Sequence, residues 1–152
     1  MQSPFIALRL ASIILSSLIL TGSVYGQNAR KVLIIGIDGC RPDALQVAET
    51  PTINGLIEHS VYSMDALNTG TTSSGPGWSA MLTGVWEEKH GVTNNSFSGS
   101  QYETFPHFFR RVEEFDSQLH TASICHWGPI NDFIVGDEAD FKQNVSSDAA
   151  VA

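Results

Sequence analysis

Residues 32–45 read VLIIGIDGCRPDAL. From 31 to 38 the chain is apolar almost without interruption, the pattern of a parallel strand covered on both faces rather than a half-exposed antiparallel one. The run ends in Asp38-Gly39, and Pro42 stands in the first turn of a predicted helix. In open α/β sheets ligands gather beyond the carboxyl ends of the strands, so this arrangement delivers a carboxylate to a crevice. Gly39 lets the backbone turn sharply there. A second role stands beside the first: Asp38 as a cap for the helix that begins near Pro42.

Working outward, Thr50-Pro51-Thr52 opens a second helix with Ile53, Leu56 and Ile57 on its inner face. Residues 61–67 have strand character, 68–77 (NTGTTSSGPG) form a loop, and 78–82 turn helical. In residues 104–119, Phe105, Phe108, Phe109, Val112 and Phe115 recur at helical spacing, with Arg110, Arg111, Glu113 and Glu114 outside. Residues 121–126 (TASICH) are the next strand. This alternation predicts an α/β sandwich, a mostly parallel sheet with helices on both faces. The closing SSDAAVA starts a helix with Asp148 as its N-cap and stops, so the expectation is a truncated chain.

Residues 1–26 read as a cleaved export signal. Arg9 supplies the basic lead, 10–20 are apolar, and Val24-Tyr25-Gly26 ends in small residues. An apolar stretch that short is no stable membrane span, which takes about 20 helical residues. An uncleaved anchor is the alternative. The expected location is exported, periplasmic or secreted, with residues 27–152 forming one modest domain. The formal charge is −8 over 152 residues. With no basic stripe to displace counterions from phosphates, binding to a nucleic-acid duplex is excluded. Cys40 and Cys125 make no disulfide framework and read as small buried residues, with pairing of the two in an oxidising compartment as the alternative. Oligomeric state is not legible.

The second chemical feature is TTSSGPGWSAMLTG, residues 71–84. A hydroxyl followed by Gly-Pro-Gly and a helix sits where backbone N–H groups and the helix dipole favour negative charge. Ser74 is best placed, with Thr71, Thr72 and Ser73 as competitors; a plain polar connection is the alternative. From Asp38 to Asn95 the only basic residues are Arg41 and Lys89, against Asp38, Asp43, Glu49, Glu58, Asp65, Glu87 and Glu88. If an anionic ester is handled here, bound cations would have to supply the positive charge, with Asp38 as a hard oxygen ligand.

The strand at 32–39, then Arg41-Pro42-Asp43, Thr50-Pro51-Thr52-Ile53, SGPGWSAMLTG at 74–84 and His90-Gly91-Val92 resemble the alkaline phosphatase superfamily, nearest its type I phosphodiesterase and nucleotide pyrophosphatase branch. The resemblance runs from residue 31 to about 97. It implies that residues 27–152 are the N-terminal part of a catalytic domain hydrolysing small-molecule phosphate esters with two divalent metal ions, zinc being the metal expected. Asp38 would be the first metal ligand and Ser74 the metal-bound nucleophile that forms a covalent phospho-enzyme. Asn95 would donate to a phosphoryl oxygen together with the backbone N–H after Ser74, an oxyanion-type clamp. Where the branch commonly has an aromatic, proline, asparagine and histidine after the nucleophile, this chain has Gly75, Pro76, Gly77 and Trp78, which leaves nucleotide selectivity open. Asp116 and His120 have the family's D-x-x-x-H ligand spacing but follow an amphipathic helix instead of a strand, and the remaining ligands are expected to be absent. His90 reads as a turn residue. Two alternatives remain: a sulfatase-like hydrolase, although Trp78 replaces the expected arginine, and a non-catalytic remnant.

Overall fold

The computed structural model describes residues 30–68 and 70–151, so the expected signal segment lies outside the described residues. The chain divides into two compact units, Met1–Ile37 and Asp38–Ala152. Of the first, residues 30–37 are described, and they form no strand. Val32, Leu33, Ile34, Ile35 and Ile37 are all exposed, Val32 to 87 %. The expected buried strand at 31–38 is therefore corrected. An extended segment becomes a strand only when a neighbour takes up its N–H and C=O groups, and hydrophobicity alone supplies none. Among the described residues the one ladder lies elsewhere.

The second unit opens with helices α1 (Pro42–Val47) and α2 (Pro51–Ile57), each with proline in its first turn. Arg41, not Asp38, is the N-cap of α1. Neither helix buries a residue, and Leu56, expected to face inward, is 64 % exposed. Residues 61–67 form no strand and Val61 is fully exposed. An apolar stripe is covered only where a second layer meets it, and the described core lies further along the chain.

That core surrounds helix α3 (Ser74–Thr83), which ends at Gly84 in the left-handed region and packs against α4 (Glu87–His90). Leu82, Val92, Phe97, Cys125, Ile130, Ile134 and Val135 are buried together, with Trp78, Tyr102, Phe108, Phe109 and Trp127 packed around them. Helix α5 covers only Phe108–Phe115 of the expected 104–119. Pro106 disfavours helical backbone at Phe105, and Asp116 Oδ1 accepts the Gln118 N–H, closing a turn in place of another helical one. Phe115 is left 87 % exposed.

The strand expected at 121–126 is present as β1 (Ala122–Cys125). It pairs in parallel with β2 (Phe141–Asn144), Ala122 opposite Phe141 and Cys125 opposite Asn144. A π-helical turn, Ile130–Val135, lies in the crossover and buries Ile130, Asn131, Ile134 and Val135. A polar chain holds the register: Ser123 Oγ donates to Asn131 Oδ1 (2.6 Å), and Asn131 Nδ2 to Asn144 Oδ1 (2.7 Å). The fold is thus α/β with a small parallel sheet. Cys125 is buried, but Cys40 is exposed; the two are unpaired. Asp148 does not cap a helix: it begins a short 3₁₀ turn, and its Oδ1 lies 2.8 Å from His126 Nδ1. No helix of the described residues is long and apolar enough to cross a membrane.

Two histidines sit inside. His90 and His107 are 0 % and 1 % exposed, and burial holds both imidazoles below the ordinary 6.5. His107 Nε2 stands 2.8 Å from Glu138 Oε2, a pairing that only partly opposes the burial. An unfolded chain takes up these protons near pH 6.5, whereas the folded one takes them up only at lower pH. The unfolded state therefore binds more protons in that window, and stability increases with pH through it. Urea unfolding midpoints are expected to fall as pH is lowered from about 7 to about 5; a flat profile would mean that neither histidine is protonated only on unfolding.

Candidate active site

Helix α3 begins with Ser73 as N-cap, in extended backbone, but the Ser73 side chain makes no capping bond. The cap comes from a loop instead: Asn95 Oδ1 accepts the Gly75 N–H at 2.7 Å. Pro76 has no N–H, and the Gly77 N–H bonds Ser73 O at 3.0 Å. The first-turn donors are thereby largely satisfied. The loop comes so close that a Cβ at Gly75 would lie 2.8 Å from Asn94 O and 3.0 Å from Asn95 Oδ1. Glycine stands at 75 because the backbone of the loop occupies the space a side chain would need.

The loop is held by several local bonds. Asn94 Oδ1 accepts the Ser96 N–H at 2.8 Å, and Phe97 adopts φ 57°, unusual for an aromatic residue. The Phe97 ring is buried and stacks on Phe133 at 4.9 Å, which offsets the backbone strain. His90 anchors the start of the loop, its Nδ1 accepting the Val92 N–H at 3.1 Å, in keeping with the expected turn role.

Ser74 Oγ donates to Asp38 Oδ2 at 2.7 Å, across 36 positions of sequence. Of the four competing hydroxyl residues only Ser74 meets Asp38: Ser73 Oγ is buried without a partner, and Thr71 is tied by its N–H to Glu87 Oε2 at 3.1 Å. Trp78 Nε1 reaches the same Asp38 oxygen at 3.3 Å. Asp38 is exposed and Ser74 half-buried, at the positive end of the α3 dipole. Asp38, Ser74 and Asn95 thus come to one end of one helix. The geometry alters the expected clamp, however: the Gly75 N–H is taken by Asn95 Oδ1 instead of standing beside it. Since an N–H requires an acceptor, this bond fixes the amide with Nδ2 as its remaining donor group.

Asp116 and His120 do not converge. Asp116 bonds its own turn, while His120 Nδ1 lies 3.3 Å from Asp140 Oδ2. No group of three or more His, Cys, Asp or Glu poised for a metal is found among the described residues. As to donor chemistry, Asp38 and Ser74 suit one hard divalent cation: two oxygens converge and Asp38 Oδ1 takes neither hydrogen bond. They supply only part of a coordination shell. Two features were missed by sequence reasoning, Trp78 as a partner of Asp38 and Asn95 as a helix cap. The first carried a signal, because Ser74 and Trp78 are four apart and lie on one helix face.

A family model described as type I phosphodiesterase / nucleotide pyrophosphatase matches residues 32–132, a span that contains Asp38, Ser74, Trp78 and Asn95. The chain belongs to that family. Among its relatives, the Bos taurus bis(5'-adenosyl)-triphosphatase ENPP4 is 32 % identical over 75 residues, 49 % of this chain and 17 % of that protein. Ectonucleotide pyrophosphatase/phosphodiesterase family member 7 of Rattus norvegicus is 29 % identical over 92 residues, 60 % of this chain and 21 % of its own length. Family member 5 of Homo sapiens is 31 % identical over 120 residues, 78 % of this chain and 25 % of its own. The chain thus spans a quarter or less of these relatives. No solved structure matches it.

Proposed function

We propose that the protein is an exported, metal-dependent hydrolase of small-molecule phosphate esters, with Ser74 as nucleophile, Asp38 as a metal ligand and Asn95 as a phosphoryl-oxygen donor. The wider alkaline-phosphatase-like sandwich and the export signal at 1–26 are part of the same proposal. The observation that carries it is the 2.7 Å approach of Ser74 Oγ to Asp38 Oδ2 at the N-terminus of α3. Naming of the bovine relative as a bis(5'-adenosyl)-triphosphatase supports phosphoanhydrides and phosphodiesters as the first substrates to test.

The residues divide the work. Asp38 Oδ2 accepts the hydrogen bond from the Ser74 hydroxyl and orients it with the Oγ lone pairs free for attack on phosphorus. An Oγ–P bond forms as the bond from phosphorus to the leaving oxygen breaks, the hydroxyl proton passing to the leaving oxygen; water later cleaves the phosphoserine, its hydroxide going to phosphorus and its proton to Oγ. Asn95, fixed through Oδ1, directs Nδ2 toward a non-bridging oxygen, and the α3 dipole favours the anionic group. A divalent cation held by Asp38 and Ser74 would supply the positive charge that the side chains lack and help the hydroxyl to ionise. Zinc is the proposed metal.

In the context of its complete catalytic domain, the protein is expected to hydrolyse bis(4-nitrophenyl) phosphate, to lose more than about tenfold in rate with EDTA, and to recover on adding Zn²⁺. Turnover indifferent to chelation would remove the metal from the proposal. Preference for an aryl sulfate would favour the sulfatase-like alternative, and absence of turnover on either ester would favour a non-catalytic remnant.

A further inference from the structure

Trp78 stands one turn beyond Ser74 on the same face of α3. Its ring packs against the core, while Nε1 reaches Asp38 Oδ2, the oxygen already bonded by Ser74. Asp38 is itself exposed and precedes a glycine turn, with Gly39 at φ 68°. An exposed carboxylate on such a turn is held by what it bonds, and both bonds come from one rigid helix. Both also fall on Oδ2.

We propose that Trp78 is a positioning residue: its indole N–H holds Asp38 Oδ2 so that Oδ1 is the oxygen presented to a divalent cation. This rests on the proposed role of Asp38 as a ligand. Hydrogen-bonded partners behind a ligating carboxylate orient it and raise metal affinity. Indole is suited to the task because its nitrogen is a donor only and cannot itself compete for the metal. It matters most once Ser74 gives up its proton. The hydroxyl then no longer donates to Asp38, whereas the indole N–H keeps Oδ2 satisfied.

The test is a Zn²⁺ titration of the full chain by competition with a chromophoric chelator, alongside ¹H–¹⁵N spectra of the Trp78 indole. Trp78→Phe keeps an aromatic ring without the N–H, and about a tenfold loss of Zn²⁺ affinity is expected. In the unsubstituted protein the Trp78 indole resonance should shift both on adding Zn²⁺ and on Asp38→Ala. Unchanged affinity in Trp78→Phe, with Asp38→Ala still abolishing binding, would overturn this inference and leave Asp38 as a ligand. If the unsubstituted chain takes up no Zn²⁺, or Asp38→Ala binds it as well as the parent, the ligand role of Asp38 falls and this inference with it. Should circular dichroism show Trp78→Phe unfolded, the indole resonance decides: insensitivity to Asp38→Ala would overturn the inference.

Discussion

Ser74→Ala is expected to lower hydrolysis of an aryl phosphodiester by a factor on the order of 10⁴ or more, the scale seen when a catalytic nucleophile is removed. The same protein should unfold within a few degrees of the parent and keep Zn²⁺ uptake through Asp38, weakened by the loss of one of the two proposed oxygens. Ser74 is half-buried at the first helical position, where alanine is well tolerated, and the lost bond to Asp38 is one exposed contact. Its removal therefore costs folding about 1 kcal/mol or less. That separation of chemistry from stability makes the variant informative. Turnover equal to the parent's would exclude Ser74 as nucleophile; Ser73, whose Oγ is buried, is no evident substitute.

Gly91→Ala should produce the largest loss of stability. Gly91 adopts φ 77°, and a Cβ there would overlap the backbone oxygen of Gly99. Two penalties combine: left-handed backbone costs a non-glycine residue about 1–2 kcal/mol, and the overlap is with main chain rather than with a side chain that can swing aside. A total on the order of 3 kcal/mol and a fall in Tm of about 10 °C are expected, read by thermal circular dichroism. Gly84→Ala is the internal comparison, because Gly84 has φ 73° but a Cβ there would meet nothing within 4 Å. It should cost only about 1 kcal/mol. If the two variants melt together, Gly99 yields easily and the crowding is not decisive. The Gly91 effect also reaches the site, because Gly91 and Gly99 bracket the loop that carries Asn95 to the Gly75 N–H.

The chemistry-bearing pieces were legible because they are local. Proline in the first turn announced the helices at 42 and 51, and 121–126 contains the strand expected there; the helix expected at 78–82 starts earlier, at Ser74, and takes in Gly75, Pro76 and Gly77, which were expected in the loop. Asp38 and Ser74 stood out by residue type and position, and they do meet. The largest expectations that failed required a partner, whereas the 104–119 helix was shortened locally, by Pro106 and the Asp116 turn. The apolar run at 31–38 has the composition of a buried strand, yet no described neighbour completes its ladder; the inner faces expected of 53–57 and 61–67 meet no described layer.

Sequence alone therefore determined which segments favour helix, which carry carboxylate and hydroxyl, and to which family they belong, since propensity and motif are properties of neighbouring residues. Tertiary structure alone decided that Ser74 rather than Ser73 reaches Asp38, that Trp78 shares that carboxylate, that Asn95 caps the helix of the hydroxyl, and that β1 pairs with β2. Those are contacts across tens of positions, set by how helix, loop and strands close around one core, and no local pattern specifies them.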